Sequence, residues 1–335
     1  MQDKIKQFVD TAHTVVIVQA DNPDADSLGS ALALEHILGD MGKDVSLYCG
    51  VDIPTYLRYL PGWDRVQKDL PKQFDLGVVV DANTYTLLEQ LDKTGQLTWL
   101  KAKPTIVLDH HASVEKPLDF ATLLLSDAEQ SSTGELIFNL CTELDWRVSS
   151  QAAEHLMSAI LGDTQGLMNE LTRASTYRAM AELTEIGANR PKLEELRREF
   201  SKMAPAIYHY KGQLLQRTEF AAEGAIAYVT IPQDEINEYS PLYNPAVLMQ
   251  FDSLQVVGVR VSIVFKTYDD GHLTAKIRCT SDAPVGAKLA ERFGGGGHPY
   301  ASGFKITDGR TFADVKRECL AYATELLTNL AKDAS

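Results

Sequence analysis

Thr105-Ile106-Val107-Leu108-Asp109-His110-His111 carries a β-branched apolar run straight into an aspartate and two histidines. Such a run predicts a strand buried on both faces, and its end delivers three polar side chains to one edge of a sheet. The arrangement recurs upstream. Leu76-Gly77-Val78-Val79-Val80 ends in Asp81, and Val15-Val16-Ile17-Val18 leads into Asp21-Asn22-Pro23-Asp24-Ala25-Asp26-Ser27-Leu28-Gly29-Ser30. Val45-Ser46-Leu47-Tyr48 supplies a fourth strand, and a helical pattern from about Ser30 to Met41 lies between. Together these segments predict an α/β fold, a parallel sheet with flanking helices. The functional crevice of such a sheet lies beyond the carboxyl ends of its strands.

Downstream, helical patterns cover Gly134 to Leu144, Ser150 to Leu161, Arg173 to Gly187 and Lys192 to Lys202. The last is charge-rich and reads as a connector. Strand patterns at Ala225 to Ile231, Val256 to Lys266 and Leu273 to Thr280 begin a second region, with helices at Val285 to Phe293 and Thr311 to Ala331. The expected organisation is a first domain over 1–190, a helical linker over 191–211 and a smaller C-terminal α/β domain over 212–335, the active cleft lying between the domains.

Composition narrows the function classes. The chain has 335 residues, 44% of them hydrophobic, and a formal charge of −14. That hydrophobic content excludes a disordered chain. The acidity excludes a long duplex gripped by an extended basic surface. No apolar run is long enough for a membrane span or a secretion signal. Cys49, Cys141, Cys279 and Cys319 are scattered and predict buried free thiols in a reducing cytoplasm.

Each acidic segment has an ordinary reading when taken alone. Asp24 and Asp26 stand where Asp, Asn and Ser commonly cap a helix. Asp81 reads as a turn former, and Asp163 as a helix-end residue. His110 and His111 are less ordinary, since imidazole is a preferred ligand of first-row transition metals. Taken together, Asp24, Asp26, Asp81, His110 and Asp163 offer four carboxylates and an imidazole at the ends of consecutive elements. This is a donor set for two divalent ions sharing a carboxylate, with Mn²⁺ favoured by mixed oxygen and nitrogen, and Mg²⁺ or Co²⁺ as alternatives. Two ions about 4 Å apart activate water and steady in-line attack at phosphorus. Gly29 and Ser30 open a helix whose amides suit phosphate. Near the C-terminus, Gly294-Gly295-Gly296-Gly297-His298 lets the backbone approach an anion, and Arg278 offers a guanidinium fork. A flexible linker and a solvated strand end are the plain readings of these last two.

The spaced motifs, in this order, resemble the DHH phosphoesterase superfamily, which contains RecJ nucleases and family II pyrophosphatases. Within it the chain is most similar to the NrnA type, the oligoribonucleases (nano-RNases) and pAp phosphatases. Asn22 to Ser30 matches the first motif, Asp81 the second, Asp109-His110-His111 the signature triplet and Asp163 the fourth. Arg278 with Gly294 to His298 matches the DHH-associated C-terminal domain.

The resemblance implies roles. Asp24 would bind one Mn²⁺, Asp26 the other, and Asp81 both, with His110 and Asp163 completing the ligands of the second ion. His111 would contact the scissile phosphate, and Asp109 would orient the site from behind. Arg278, Gly295, Gly296, Gly297, His298 and Ser30 would hold substrate. The implied activity is hydrolysis of short single-stranded oligonucleotides and linear dinucleotides to 5′-mononucleotides, and of pAp to AMP. A homodimer is the default assembly. One position departs: the histidine expected four residues before Asp24 is Ala20, for which the neighbouring Asp21 is the substitute carboxylate. Two alternatives follow: a pyrophosphatase or polyphosphatase, or a nucleotide-binding protein with weak catalysis.

Overall fold

Strand alternation sets the layers. In the computed structural model, which describes residues 1–111, 117–240, 244–250, 252–297 and 299–333, Val15, Ile17, Val78, Val80, Ile106 and Leu108 join one apolar layer. Val16, Val18, Val79 and Val107 join another on the opposite face. Burial on both faces explains why these runs are continuously apolar.

The chain divides into two compact units, Met1–Lys202 and Met203–Ser335. In the first, the elements are α1 (Gln2–Thr11), β1 (Thr14–Val18), α2 (Ala25–Asp40), β2 (Asp44–Tyr48), β3 (Leu76–Val80), α3 (Glu89–Lys93), α4 (Leu97–Lys101), β4 (Thr105–Asp109), β5 (Leu123–Ser126), α5 (Thr133–Leu144), α6 (Ser150–Asp163), α7 (Ala174–Ile186) and α8 (Arg190–Phe200). The five strands form a parallel sheet in the order β2-β1-β3-β4-β5. The chain leaves β1 toward β2 on one side and returns to β3 on the other. This reversal makes the carboxyl ends of β1 and β3 the topological switch point, where open α/β sheets place their ligands.

The second unit contains α9 (Pro205–Gln216), β6 (Glu219–Ala221), β7 (Ile226–Ile231), α10 (Gln233–Tyr239), α11 (Pro245–Gln250), β8 (Val261–Thr267), β9 (Leu273–Cys279), α12 (Gly286–Glu291), β10 (Gly296–Gly297), β11 (Ala301–Ile306) and α13 (Phe312–Asp333). Its six-stranded sheet, ordered β10-β11-β9-β8-β7-β6, is antiparallel except at β7–β8.

Two boundaries differ from expectation for local reasons. α2 starts at Ala25, five residues before Ser30, because Asp24 caps it: Asp24 Oδ1 accepts from Ser27 N at 2.9 Å and Ser27 Oγ accepts from Asp24 N at 3.0 Å. β8 starts at Val261, five residues after Val256, since the chain first turns through Val257, which is 99% exposed. The four cysteines are buried and unpaired. Among the described residues no helix is long and apolar enough to cross a membrane.

α2 lies between the sheet and α6, and Gly29 is the point of closest approach. A Cβ there would sit 2.7 Å from the His155 carbonyl oxygen on α6. Gly29→Ala is therefore expected to destabilise the protein by about 1–3 kcal/mol, because backbone atoms cannot yield as side chains do. Thermal denaturation checks this, and an unchanged Tm would show that the helices separate freely.

Candidate metal centre

Three loops at the switch point and two helix ends bring the charged side chains together. Asp26 projects from the first turn of α2 and is fully buried. Its Oδ2 accepts from Thr133 N at 2.7 Å, and its Oδ1 accepts from Gly134 N at 2.9 Å and Ser30 Oγ at 3.1 Å. The two amides open α5, so this carboxylate sits at a helix N-terminus, where negative charge is favoured. Asp81 follows β3 with φ of 56°, a left-handed conformation that non-glycine residues adopt only under compensation. Its N–H donates to the Leu108 carbonyl at 2.9 Å, and its Oδ1 accepts from Thr133 Oγ1 at 3.0 Å.

Asp109 ends β4, fully buried, and accepts at Oδ1 from His111 Nδ1 over 2.8 Å. His110 turns inward. Its Nε2 lies 2.9 Å from Asp163 Oδ2, and 3.7 Å from both Asp26 Oδ2 and Asp81 Oδ1. The His110 and His111 rings pack at 4.6 Å between centroids. Asp163, the last residue of α6, reaches His110 from the other side, and its backbone carbonyl accepts from Asn169 Nδ2 at 2.7 Å.

Crowding shifts the protonation of nearly every member. Burial, then the Asp163 charge, pushes the Asp26 carboxyl up to about 7. Burial, then the Asp26 and Asp24 charges, holds Asp81 well above the usual carboxylate range. Asp24 is raised by burial and then by Asp163. For His110, burial opposes the charged ring, but the Asp163 and Asp26 carboxylates prevail and raise it to about 9. Asp109 raises His111.

This is the electrostatic state of a site built for a cation. Among the described residues His110 Nε2 is buried and makes no well-directed hydrogen bond, and Asp109 Oδ2 is buried without a partner. Two donor groups fit a divalent ion: Asp81, His110 and His111, and Asp26, His110 and Asp163, with the atoms of each within 4.8 Å of one another.

The remaining expected residues fall in different places. Asp24 caps α2 at the rim of the cluster. Asp21 Oδ2 accepts from Gln90 N at 2.8 Å, so one oxygen of this carboxylate secures the start of α3. Ala20 is buried in the layer with Val18, Tyr48 and Val79. Ser30 is fully buried behind Asp26. In the second unit, Arg278 is paired across β9–β11 with Ala301 and donates Nη1 to the Ile277 carbonyl at 2.9 Å. Gly296 and Gly297 form β10 against β11. A Cβ at Gly295 would meet the Gly303 carbonyl at 2.2 Å, so close backbone packing already demands this glycine. His298 lies outside the described residues.

Thr133 and Gly134 were not expected at the site. Their signal was local: Ser132-Thr133-Gly134-Glu135 has the spacing of a capped helix start, and Ser132 Oγ does accept from Glu135 N at 3.0 Å. The buried Glu135 in turn accepts from Ser131 N at 3.1 Å and Thr176 Oγ1 at 2.9 Å, which fixes the helix end that holds Asp26.

Comparison with known proteins bears on the family and the fold. Residues 14–160 match the DHH family N-terminal domain, and residues 249–329 match the DHHA1 domain. A Bacillus subtilis protein named bifunctional oligoribonuclease and PAP phosphatase NrnA is 26% identical over 327 residues, 95% of this chain and 99% of its own. A Thermus thermophilus protein of the same name is 26% identical, covering 84% of this chain and 81% of its own. Among solved structures, an exopolyphosphatase-related protein from Bacteroides fragilis superposes with a TM-score of 0.82 at 22% identity, covering 98% and 97% of the two chains. RecJ from Thermus thermophilus in complex with Mn²⁺ gives 0.53 at 16% identity, covering 97% of this chain and 54% of that one. Both structural likenesses concern the fold.

Proposed function

The chain belongs to the DHH family, carrying its N-terminal domain and a DHHA1 domain, and we propose that it is a metal-dependent phosphoesterase acting on short oligonucleotides. In this reading it releases 5′-mononucleotides from short single strands and linear dinucleotides, converts pAp to AMP, and uses Mn²⁺. The observation that carries it is the set of three carboxylates converging on His110 Nε2, at 2.9, 3.7 and 3.7 Å, with Asp81 also reaching His111. The relatives named for oligoribonuclease and PAP phosphatase activity support the substrate class.

Asp26, Asp81, His110 and Asp163 would hold one ion, and Asp24 with Asp81 would hold the other. Ala20 brings no imidazole, and Asp21 has one oxygen engaged by Gln90. The Asp24 side is therefore the weaker. Bound divalent ions supply a lowered pKa for attacking water and neutralise charge on phosphoryl oxygens. The chain's own groups do the positioning. Asp109 engages His111 Nδ1 and raises its affinity for a proton, which orients the ring with Nε2 toward a phosphoryl oxygen. Thr133 and α5 fix the directions of Asp81 and Asp26.

The test is hydrolysis by Mn²⁺-loaded protein across labelled oligonucleotides of two to about ten residues, pAp, pyrophosphate and polyphosphate. The expected result is mononucleotide release, fastest from the shortest strands. Hydrolysis of pyrophosphate or polyphosphate with all nucleotides untouched would replace this reading.

A further inference from the structure

A groove of ≈ 870 Å³ adjoins the carboxylate cluster, and every residue lining it belongs to the first unit. Its size is that of a small-molecule site. Asp24 and Asp163 are among the residues that line it. Along its length two large apolar side chains stand open to solvent, Tyr56 at 55% and Met168 at 82% exposure. Tyr56 is tied to the first motif, its hydroxyl donating to the Pro23 carbonyl at 3.4 Å. Met168 follows Gln165, Gly166 and Leu167, three successive residues with φ of 52°, 77° and 72°. Thr164 Oγ1 secures this bend by accepting from Leu167 N at 3.0 Å.

Arg190, Arg197 and Arg198 also line the groove, with Glu194 beside them on the same helix. Glu194 accepts from Arg197 at 2.8 and 2.9 Å and from Arg198 at 2.8 Å, while Arg190 reaches only the Gly166 carbonyl, at 3.4 Å. Glu194 offsets one of the three guanidiniums, and Arg190 has no ion pair among the described residues. A ligand matching this groove offers anionic groups to the arginines and the metal centre, and a flat or apolar part to Tyr56 and Met168. Inorganic phosphates have no use for the tyrosine and methionine. A nucleoside with two phosphate groups has, because rings stack on aromatic faces and guanidiniums fork onto phosphate.

We propose that the groove is a nucleoside subsite, with the base or ribose against Tyr56 and Met168 and a second phosphate on Arg190 and Arg198, while the reacting phosphate lies beside Asp24 and Asp163. This rests on the reading above that the substrate is a nucleotide, and it identifies which part of that substrate the first domain holds.

The test compares Mn²⁺-loaded full-length protein with Arg190→Gln/Arg198→Gln and Tyr56→Ala variants, all at exposed positions and each checked for an unchanged Tm. Two substrates are used, pAp and bis(p-nitrophenyl) phosphate, the latter a diester without nucleoside or second phosphate. AMP binding is measured in parallel by calorimetry. The arginine variant is expected to raise KM for pAp about tenfold or more with kcat nearly constant, and to leave bis(p-nitrophenyl) phosphate hydrolysis unchanged. Tyr56→Ala is expected to weaken AMP binding several-fold. Wild-type KM for pAp in both variants, or equal losses on both substrates, would overturn the subsite while leaving nucleotide hydrolysis standing. If wild type cleaves no nucleotide yet binds AMP in an arginine-dependent way, the subsite stands and the proposed reaction falls. Neither cleavage nor AMP binding overturns both.

Discussion

Asp81→Asn is expected to lower turnover on a short oligonucleotide by about 10³-fold or more while leaving the protein folded. Asparagine has the same shape and is one of the few residues that tolerates φ near 56°. Its side-chain oxygen can still accept from Thr133 Oγ1, and its amide N–H can still donate to Leu108. Only the charge is removed. That charge is already disfavoured by burial and by Asp26 and Asp24. The metal-free variant should therefore melt at or above the wild-type temperature, and added Mn²⁺ should raise its Tm less. Turnover within about tenfold of wild type would remove Asp81 from the metal centre. A large fall in Tm would reassign it to the scaffold.

The second large effect is the joint dependence of stability on pH and metal. Asp26 moves from 3.8 to about 7 in the folded protein. A carboxyl raised in this way makes folding less favourable as pH climbs from about 4 through 7, because the folded state must surrender a proton it prefers to keep. His110 moves from 6.5 to about 9, so its stabilising contribution is present below 6.5 and lost as pH rises through 9. Both groups therefore penalise the metal-free protein on the alkaline side. A divalent ion reverses this, since it binds only deprotonated donors. The Tm increase from saturating Mn²⁺ should be small near pH 5.5 and several degrees near pH 8, and a chelator should abolish it. Equal increments at both pH values would mean that the ion binds elsewhere.

Much of the first unit was legible because its strands are buried on both faces, which leaves continuous apolar runs in the chain. All four runs read this way are strands of the parallel sheet. β5 escaped because it is an edge strand with alternating burial, and three consecutive leucines there carry no distinctive period. β11 escaped because Ala301-Ser302-Gly303-Phe304 has weak strand propensity and is held by its pairing to β9. At the site, the acidic and histidine residues stood out as chemical types at strand ends. Thr133 and Gly134 did not, because a capped helix start looks the same whether or not it receives a carboxylate.

By itself, then, the sequence determined the parallel sheet, its polar strand ends and the cast of ionisable residues, since burial and residue chemistry are written locally along the chain. The tertiary structure alone decided how those residues divide the work. Only with Asp26 and Thr133, 107 positions apart, in contact is the carboxylate seated on α5. Only the packing of α3 beside β1 commits one oxygen of Asp21 to Gln90. And only the fold brings the arginines of α8 and Asp163 to one groove. Distances between remote segments arise from packing, and no local pattern encodes them.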